Sequence, residues 1–466
     1  MSTFSGLNTA LSALYAQRRA LDVTGQNIAN VNTEGYSRQR VELSPVENVT
    51  EPARYSLSAG VGDGVRITGV TRLHNEFMTN RTRSEHGLNE YLQAQKTVYA
   101  NVEQALAEPS DNGLQAQFSD YWNAWSDVAN RPGDASARTQ LLSRANTVAG
   151  TMRTTRANLG ELYTATREQL TADVDVVNQT TAGIADLNTR IALAKVADMP
   201  TNELSDKRDT LILRLSELTG ATARPKKDGS TDVLLAGAVL VQGDTVRALQ
   251  AVGSTTVDGR TIAPPQVQFA DSGGVAAIAS GRIASRLEAL NTTVPDAVQG
   301  LDDVAGQLIT SVNAQHAQGW DITVVPPATT PTPVQGGDFF SGTDAADIGV
   351  AIADPTKVAA SSTATNPFQG DNATLLANLA KDPAGADVQY RNFVVDIGIS
   401  AQTVNRRADA QQVIADDVTA AEQAESGVSL DEEMTNMLQF QRAYEAAAKV
   451  ISVVDSTLDS LINMKR

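Results

Sequence analysis

The amino-acid sequence predicts an elongated α+β fold, in which terminal coiled-coil helices and a helical rod domain carry an inserted β-rich outer domain. Three observations predict it. Apolar residues recur every three or four positions at both ends of the chain, and similar helical periodicity returns through much of the middle. Between the helical stretches lie segments rich in turn formers and short β-like runs. Helix at both ends indicates that the termini meet while the middle is looped out.

The first thirty residues have the clearest periodicity. Apolar side chains are spaced alternately three and four, apart from Arg18 and Gly25. The series is Phe4, Leu7, Leu11, Leu14, Leu21 and Ile28. This spacing predicts a coiled-coil seam. The turn formers between Asn30 and Tyr36 should end the helix.

The last forty residues repeat this pattern. One line consists of Leu430, Met437, Gln441, Tyr444, Ala448, Ile451, Asp455, Leu458 and Ile462. A second line consists of Met434, Leu438, Val450, Val454 and Leu461. Because two lines make the apolar stripe wider than a two-stranded seam, we expect this helix to contact more than one neighbour.

The terminal helices should not be stable alone. Burying the few aliphatic side chains on one face of such a helix stabilises it by less than the backbone entropy lost in ordering about 28 residues. Helix hydrogen bonds recover only part of that difference. We therefore predict that both ends are disordered in the free monomer and fold when they pack against other chains.

The elements between the ends follow from periodicity and turn residues. Residues 39–73 alternate β-like runs with proline and glycine, which predicts a hairpin. Residues 88–195 are helical, with breaks at 109–112 and 131–134. The remaining segments are a helix at 203–218 ended by Gly220, strands at 222–274, a helix at 280–317, a β-rich or loop-rich segment at 321–372, and helix from 374 onward with a break at 426–427.

These elements group into three nested domains. The predicted boundaries are 1–38 and 427–466 for an inner terminal coiled-coil domain, 39–225, 275–320 and 373–426 for a mainly helical rod domain with a β-hairpin region, and 226–274 and 321–372 for a β-rich outer domain.

Composition excludes several classes of function. The 466 residues include no cysteine, three histidines and a net charge of -17. The absence of cysteine excludes disulfides and thiolate sites, and the acidic balance disfavours nucleic acid and anionic membranes as partners. Residues 233–241 form the longest apolar run, which is too short to cross a bilayer. The first residues lack the pattern of a cleavable signal peptide, so we expect a cytosolic protein or one exported without such a signal.

Two loops resemble chemical sites only weakly. Asp271-Ser-Gly-Gly274 is similar to the loop around a trypsin-like nucleophile, but Ala270 and Val275 replace the expected glycine and proline, so we interpret it as a turn. Gly60-Val-Gly-Asp-Gly64 leads into strand-like residues rather than a helix N-terminus. Because it lacks a helix dipole to bind phosphate, it predicts a hairpin turn.

Titratable residues also suggest no site. No metal-ligand spacing relates the histidines, which are His74, His86 and His316. The acidic residues of one loop do not match an EF-hand, and these are Asp338, Asp344 and Asp347. Asp431, Glu432 and Glu433 follow Ser429 at the start of the last helix, where acidic side chains favour the helix dipole.

Both ends of the chain resemble a known family. Residues 10–36 and 426–451 are similar to the signature stretches that bacterial flagellar rod, hook and hook-associated proteins share. Gly35-Tyr-Ser-Arg-Gln39 and Ser426-Gly-Val-Ser-Leu-Asp-Glu-Glu433 resemble the hook-associated members. Internal stretches at 125–138, 204–209, 237–243 and 312–321 support this choice. The matching motif residues are Asn27, Asn30, Asn32, Gly35, Tyr36, Asp431, Glu432, Glu433, Gln441 and Tyr444.

The resemblance implies a structural protein and not an enzyme. Its expected role is a self-assembling junction between hook and filament, exported unfolded by the flagellar type III apparatus, extracellular, and without cofactor or metal. The implied partners are further copies in a ring or helical oligomer, hook protein, hook-associated protein 3, and an export chaperone on the C-terminal helix. The chain is short for this family, which implies that an outer domain is reduced or missing.

The heptad positions are the expected assembly contacts. They are Leu7, Leu11, Leu14, Leu21, Ile28, Leu430, Met437, Tyr444, Ile451, Leu458 and Ile462. The nearest alternative function is a hook or distal rod axial protein. A more distant alternative is a secreted hydrolase or cation-binding adhesin that uses the outer domain.

Overall fold

A computed structural model describes residues 3–46, 64–323 and 332–464 of the chain. The chain divides into two compact units. The terminal unit consists of Met1–Gly87, Val177–Ala248 and Gln412–Arg466, and the central unit consists of Leu88–Val176 and Leu249–Gln411.

Helices make up most of the described chain. They are α1 (Thr3–Ala29), α2 (Glu76–Leu106), α3 (Leu114–Asn130), α4 (Ala135–Val196), α5 (Asn202–Thr219), α6 (Gly281–Glu288), α7 (Val294–His316), α8 (Asp371–Asn378), α9 (Ala386–Ser426) and α10 (Leu430–Asn463). A π-helical turn at Ala289–Thr293 joins α6 to α7.

Short strands complete the α+β fold that the sequence predicts. They are β1 (Gln39–Pro45), β2 (Val65–Arg72), β3 (Thr222–Pro225), β4 (Thr231–Leu235), β5 (Ala238–Gln242), β6 (Thr245–Val246), β7 (Leu249–Val252), β8 (Gln266–Phe269), β9 (Phe340–Ser341) and β10 (Gly349–Val350). All pairings among them are antiparallel. In the terminal unit β1 pairs with β2, and β3 to β6 form a four-stranded sheet in chain order.

The helix breaks predicted from the sequence are present. Gly220 ends α5 with φ of +68°, the left-handed conformation that glycine adopts without strain. Two boundaries differ from the prediction. α2 begins at Glu76 rather than 88, because Asn75 Oδ1 accepts the backbone N–H of Phe77 and so caps a stretch with little apolar periodicity. α8 and α9 are separate helices, since Pro383 lies between them and cannot continue a helical hydrogen-bond pattern.

The central unit has an aromatic core. Phe118, Tyr121 and Trp125 of α3 are fully buried, and Phe339 packs on Trp125 with ring centroids 5.2 Å apart. His316 lies in the same cluster, 5.5 Å from the Phe339 ring. The described part of residues 321–372 is mostly loop, in line with the loop-rich alternative, and it contributes apolar rings to this core.

Candidate assembly site

The terminal helices α1 and α10 pack against each other, and α1 also contacts the β1–β2 hairpin. Eight of the less exposed side chains of α10 follow a regular alternation of four and three residues. They are Glu433, Met437, Phe440, Tyr444, Ala447, Ile451, Val454 and Leu458. This is coiled-coil spacing, so α10 uses one complete seam within its own chain.

Small residues form the buried stripe of α1. Ala10, Ala16, Ala20 and Val23 are each less than 10% exposed, and Asn27 is 1% exposed. Side chains of this size allow neighbouring backbones to come close. The predicted leucine line of α1 is therefore not its most buried face, because the sequence argument counted only large aliphatic residues.

The predicted assembly residues fall into two classes of exposure. Those half-buried are Leu7, Leu14, Leu21, Ile28, Met437, Tyr444, Ile451 and Leu458. Those exposed are Leu11, Leu430 and Ile462. The α1–α10 pair gives each terminal helix a partner within its own chain.

Large apolar side chains remain exposed on this pair of helices. Tyr15 is 57% exposed and Leu438 is 52% exposed. The others are Leu11, Leu430, Met434, Val450, Val453 and Ile462. An exposed apolar surface of this kind is typical of a site for another protein. We call these eight residues the free apolar face.

Asn27 is the centre of a polar network that joins the two ends of the chain. Its Nδ2 donates to the backbone oxygen of Gln39 at 2.9 Å and to Glu433 Oε2 at 3.0 Å. Its Oδ1 accepts from the backbone N–H of Gln39 at 3.0 Å and from the Tyr36 hydroxyl at 2.9 Å. All the hydrogen-bonding capacity of this buried amide is therefore used. We call Asn27, Tyr36, Arg38, Gln39 and Glu433 the terminal network.

Glu433 is a buried carboxylate, only 2% exposed, with a partner on each oxygen. Besides Asn27, it accepts from Arg38 Nε at 2.7 Å. The backbone N–H of Arg38 also donates to the oxygen of Ser426 at 2.9 Å, just before α10. The network thus fixes the start of α10 against the turn after α1. Capping, which the sequence suggested for this acidic cluster, describes only part of what Glu433 does.

The turn that carries Tyr36 is held by α5. Gly35 has φ of +74°, and a Cβ there would lie 2.3 Å from Thr210 Oγ1, so the site requires glycine. The backbone N–H of Ser37 donates to Asp206 Oδ2 at 3.3 Å. Burial, together with the negative charge of Asp206, raises the pKa of Tyr36 to about 12, so its hydroxyl stays a neutral donor to Asn27.

The other motif residues do not join this network. Asn30 Nδ2 donates to the oxygen of Gln26 at 2.9 Å, close to the end of α1. Asn32, Asp431 and Gln441 are exposed. Arg38 and Gln39 were not singled out as functional from the sequence, and the contact of residue 27 with residue 433 leaves no local signal.

The weak chemical motifs have structural explanations. Ser272 lies in an exposed turn. His316 is fully buried, its Nδ1 donates to the oxygen of Gly337 at 2.7 Å, and its Nε2 accepts from the N–H of Ala359 at 2.9 Å. Burial lowers the pKa of His316, which keeps it neutral. Residues 60–63 of the glycine-rich loop lie outside the described residues.

Acidic side chains of the 338–347 loop serve the backbone. Asp347 Oδ1 accepts the N–H groups of Thr343 at 2.7 Å and Asp344 at 3.1 Å. Within the described residues, no three histidine, aspartate or glutamate side chains are grouped as metal ligands. None of the described helices has the length and apolar character needed to span a membrane.

Comparison with known proteins decides the family. The model of the flagellar hook-associated protein FlgK helical domain matches residues 99–340. The chain belongs to the flagellar hook-associated protein FlgK family. It is a structural component of the bacterial flagellum at the hook–filament junction, and it is not an enzyme.

Full-length relatives agree with this assignment. Flagellar hook-associated protein 1 of Bacillus subtilis is 29% identical and aligns over 99% of this chain and 98% of its own length. Flagellar hook-associated protein 1 of Escherichia coli is 26% identical and aligns over 98% of this chain and 99% of its own length. The alignment to the latter extends over 551 positions, so that relative has insertions that this shorter FlgK-family chain lacks.

A solved relative has the same fold. The structure of the flagellar hook junction protein FlgK from Burkholderia pseudomallei superposes with a TM-score of 0.61 at 17% identity, over 74% of this chain and 99% of that chain. The terminal helices match other models. Residues 7–36 match the flagella basal body rod protein family, and residues 423–464 match the C-terminal family of the basal body rod FlgEFG proteins. These ranges contain nearly all of α1 and α10, including Asn27 and Glu433 of the terminal network.

Proposed function

We propose that this FlgK-family chain self-assembles into the junction between hook and filament through its paired terminal helices. The free apolar face is the observation that supports this function, because no residue that the structure describes covers it. In this arrangement 1–38 and 427–466 form the inner layer, and the half-buried seam residues extend the contact. Leu14 and Tyr444 are examples of seam side chains that a neighbouring copy would bury further.

The partners and route of export follow from the family. Hook protein lies on one side of the proposed junction and hook-associated protein 3 on the other. The chain leaves the cell unfolded through the flagellar type III apparatus, accompanied by a chaperone on α10, and folds outside. The absence of cysteine is compatible with this route, because no disulfide can form before export.

Locating the protein in isolated flagella tests this function. Gold-labelled antibody should mark only the hook tip in isolated hook–basal bodies. Label along the hook or in the rod would support the alternative of a hook or distal rod axial protein. A secreted hydrolase or cation-binding adhesin would not label the flagellum, and metal in purified protein above trace would favour the adhesin.

A single substitution tests the role of the helices. Leu14→Asp places a charge on the half-buried seam of α1, and we expect a soluble monomer that does not assemble junctions. Asn8→Asp adds the same charge at an exposed position of the same helix and should leave assembly intact. If cells with Leu14→Asp still build filaments and swim, the proposed contact is wrong.

A further inference from the structure

Two histidines of this chain line one cleft in the terminal unit. The cleft has a volume of about 600 Å³ and lies among the turn after α1, the first part of α2, α5 and the end of α9. His86 projects from α2, and His74 lies just before this helix. The assembly role of the chain uses neither residue.

His86 connects three helices through its ring. Its Nε2 lies 2.8 Å from Thr419 Oγ1 on α9, and its Nδ1 lies 3.3 Å from Glu217 Oε1 on α5. The Thr419 hydroxyl can donate its own proton to the oxygen of Ala415 at 2.8 Å. Glu217 is a carboxylate and accepts, whereas the Thr419 hydroxyl can accept from the ring or donate to it. A neutral ring with its proton on Nδ1 meets both contacts when Thr419 donates, and a doubly protonated imidazolium meets them when Thr419 accepts and adds the attraction between its charge and the Glu217 carboxylate.

The charges around His86 favour its protonated form. Arg83, one turn earlier on α2, opposes a second positive charge, but it donates to Asp209 Oδ1 at 3.2 Å. Asp206 is similarly occupied by Arg72 at 2.7 Å. Glu217 Oε1, 3.3 Å from the ring nitrogen, is positioned to pair with a charged His86. The His86 side chain is 25% exposed, so contact with water keeps the cost of charging it small.

The other titratable groups of the cleft do not remove the preference for protonated His86. Glu422 of α9 adds a further negative charge and accepts from Thr79 Oγ1 at 2.6 Å. In the turn after α1, Tyr36 stays neutral because its pKa is raised to about 12, and Glu34 is exposed to solvent. Burial lowers the pKa of His74, which holds that second histidine neutral in the same cleft.

We propose that His86 is a pH-responsive clamp, in which uptake of a proton strengthens the attachment of α2 to α5 and α9. The direction of the pH dependence follows from the thermodynamic linkage between proton binding and folding. A proton that binds more tightly in the folded chain adds stability at low pH, and this contribution is lost as the pH rises through the titration of folded His86. Because α9 leads directly into α10, the clamp holds the segment that carries the C-terminal helix.

NMR of the full chain labelled with ¹³C-histidine tests the clamp. Only three signals are present, and His86→Gln and His74→Gln assign them. We expect His86 to keep its second proton to a higher pH than the histidines of the urea-unfolded chain. His74 and His316 should lose theirs at a lower pH, and they serve as internal controls. If His86 titrates at or below the unfolded histidines, the proposal is overturned.

A matched pair of variants tests the partner on α5. Glu217→Gln keeps an oxygen acceptor but removes the charge, and we expect the His86 midpoint to fall by roughly 0.5 pH unit, about a threefold loss of proton affinity. Glu203→Gln makes the same change at an exposed position of α5 and should leave the midpoint unchanged. An equal midpoint in both variants would show that Glu217 does not stabilise the charge, and the clamp would be wrong.

Discussion

The α1–α10 pair and the aromatic core of the central unit use apolar side chains in opposite ways. In the core, α3 and the 339–340 segment bury their aromatic rings within the chain. In the terminal pair, residues as large as Tyr15 and Leu438 stay about half exposed. The central unit therefore contains what it needs for a stable core, whereas the terminal helices bury one seam and leave several large apolar side chains exposed.

Because of this difference, we expect one region of the chain to fold on its own and the other to become fully stable during assembly. Burial of apolar area supplies most of the free energy of folding, so a helix that buries one narrow face is held weakly. The terminal network adds stability at one end of the helix pair, where the hydrogen bond between Asn27 and Glu433 connects α1 to α10. We expect the rest of the pair to gain its full stability only when other subunits cover the free apolar face.

Amide hydrogen exchange of a dilute monomer should show the largest contrast. We expect most amides of residues 5–28 to open with a free energy close to zero, whereas amides of α3 should open only with several kcal/mol, as core helices do. Residues near Asn27 should be the best protected part of the terminal pair. Strong protection throughout residues 5–28 in the monomer would contradict the expected difference in stability, because it would mean that one buried seam is enough to hold the terminal helices folded.

Trp125→Ala should cause the largest loss of stability in the core. We expect the free energy of unfolding of the central unit to fall by about 3–5 kcal/mol, because the truncation leaves a cavity among packed rings. Urea unfolding followed by the fluorescence of the remaining tryptophans measures it. Ile262→Ala, at an 89% exposed position of the same unit, is the control and should change stability by about 0.5 kcal/mol or less.

Local patterns explain which parts of the fold the sequence predicts well. Heptads, Gly220 and the proline-containing breaks act over a few residues, so the helices and most of their ends follow from them. The buried stripe of α1 was missed because alanine carries little signal in a pattern based on large side chains. The prediction of one helix from 374 to the break at 426–427 is wrong before α9, because Pro383 cannot continue a helical hydrogen-bond pattern.

The terminal network shows more clearly what cannot be predicted from the sequence. The chemistry of Asn27 and Glu433 depends on a contact between residues far apart in the chain, and neither periodicity nor composition encodes that distance. The resemblance to flagellar proteins identified both residues as motif positions, but not as partners. Arg38 lies within a stretch that carries the resemblance, but an arginine after a turn is an ordinary surface residue unless its buried carboxylate partner is known.

Glu433→Ala should weaken the terminal pair locally. Removing the carboxylate leaves Arg38 Nε and Asn27 Nδ2 without their acceptor, which should cost about 2–3 kcal/mol. The exchange rate of the Gln39 amide, which donates to Asn27 Oδ1, reports this loss and should rise at least about 30-fold. Glu432→Ala is the matched control, because Glu432 is 62% exposed and its ion pair with Arg38 is worth about 1 kcal/mol or less. Similar effects of both substitutions would mean that burial of Glu433 is not important.

Leu438→Asn should have the smallest effect on the folded chain and a clear effect on assembly. Leu438 lies on α10 outside the intramolecular seam, so we expect the helix content and the unfolding free energy of the monomer to change by about 0.5 kcal/mol or less. Loss of this apolar side chain from the free apolar face should raise the protein concentration at which purified subunits form polymers, measured by light scattering. Glu445→Gln, at an exposed polar position of the same helix, should leave that concentration unchanged. If Leu438→Asn polymerises like the parent chain, the free apolar face is not where subunits meet, and the contrast between the two regions would reflect surface composition alone.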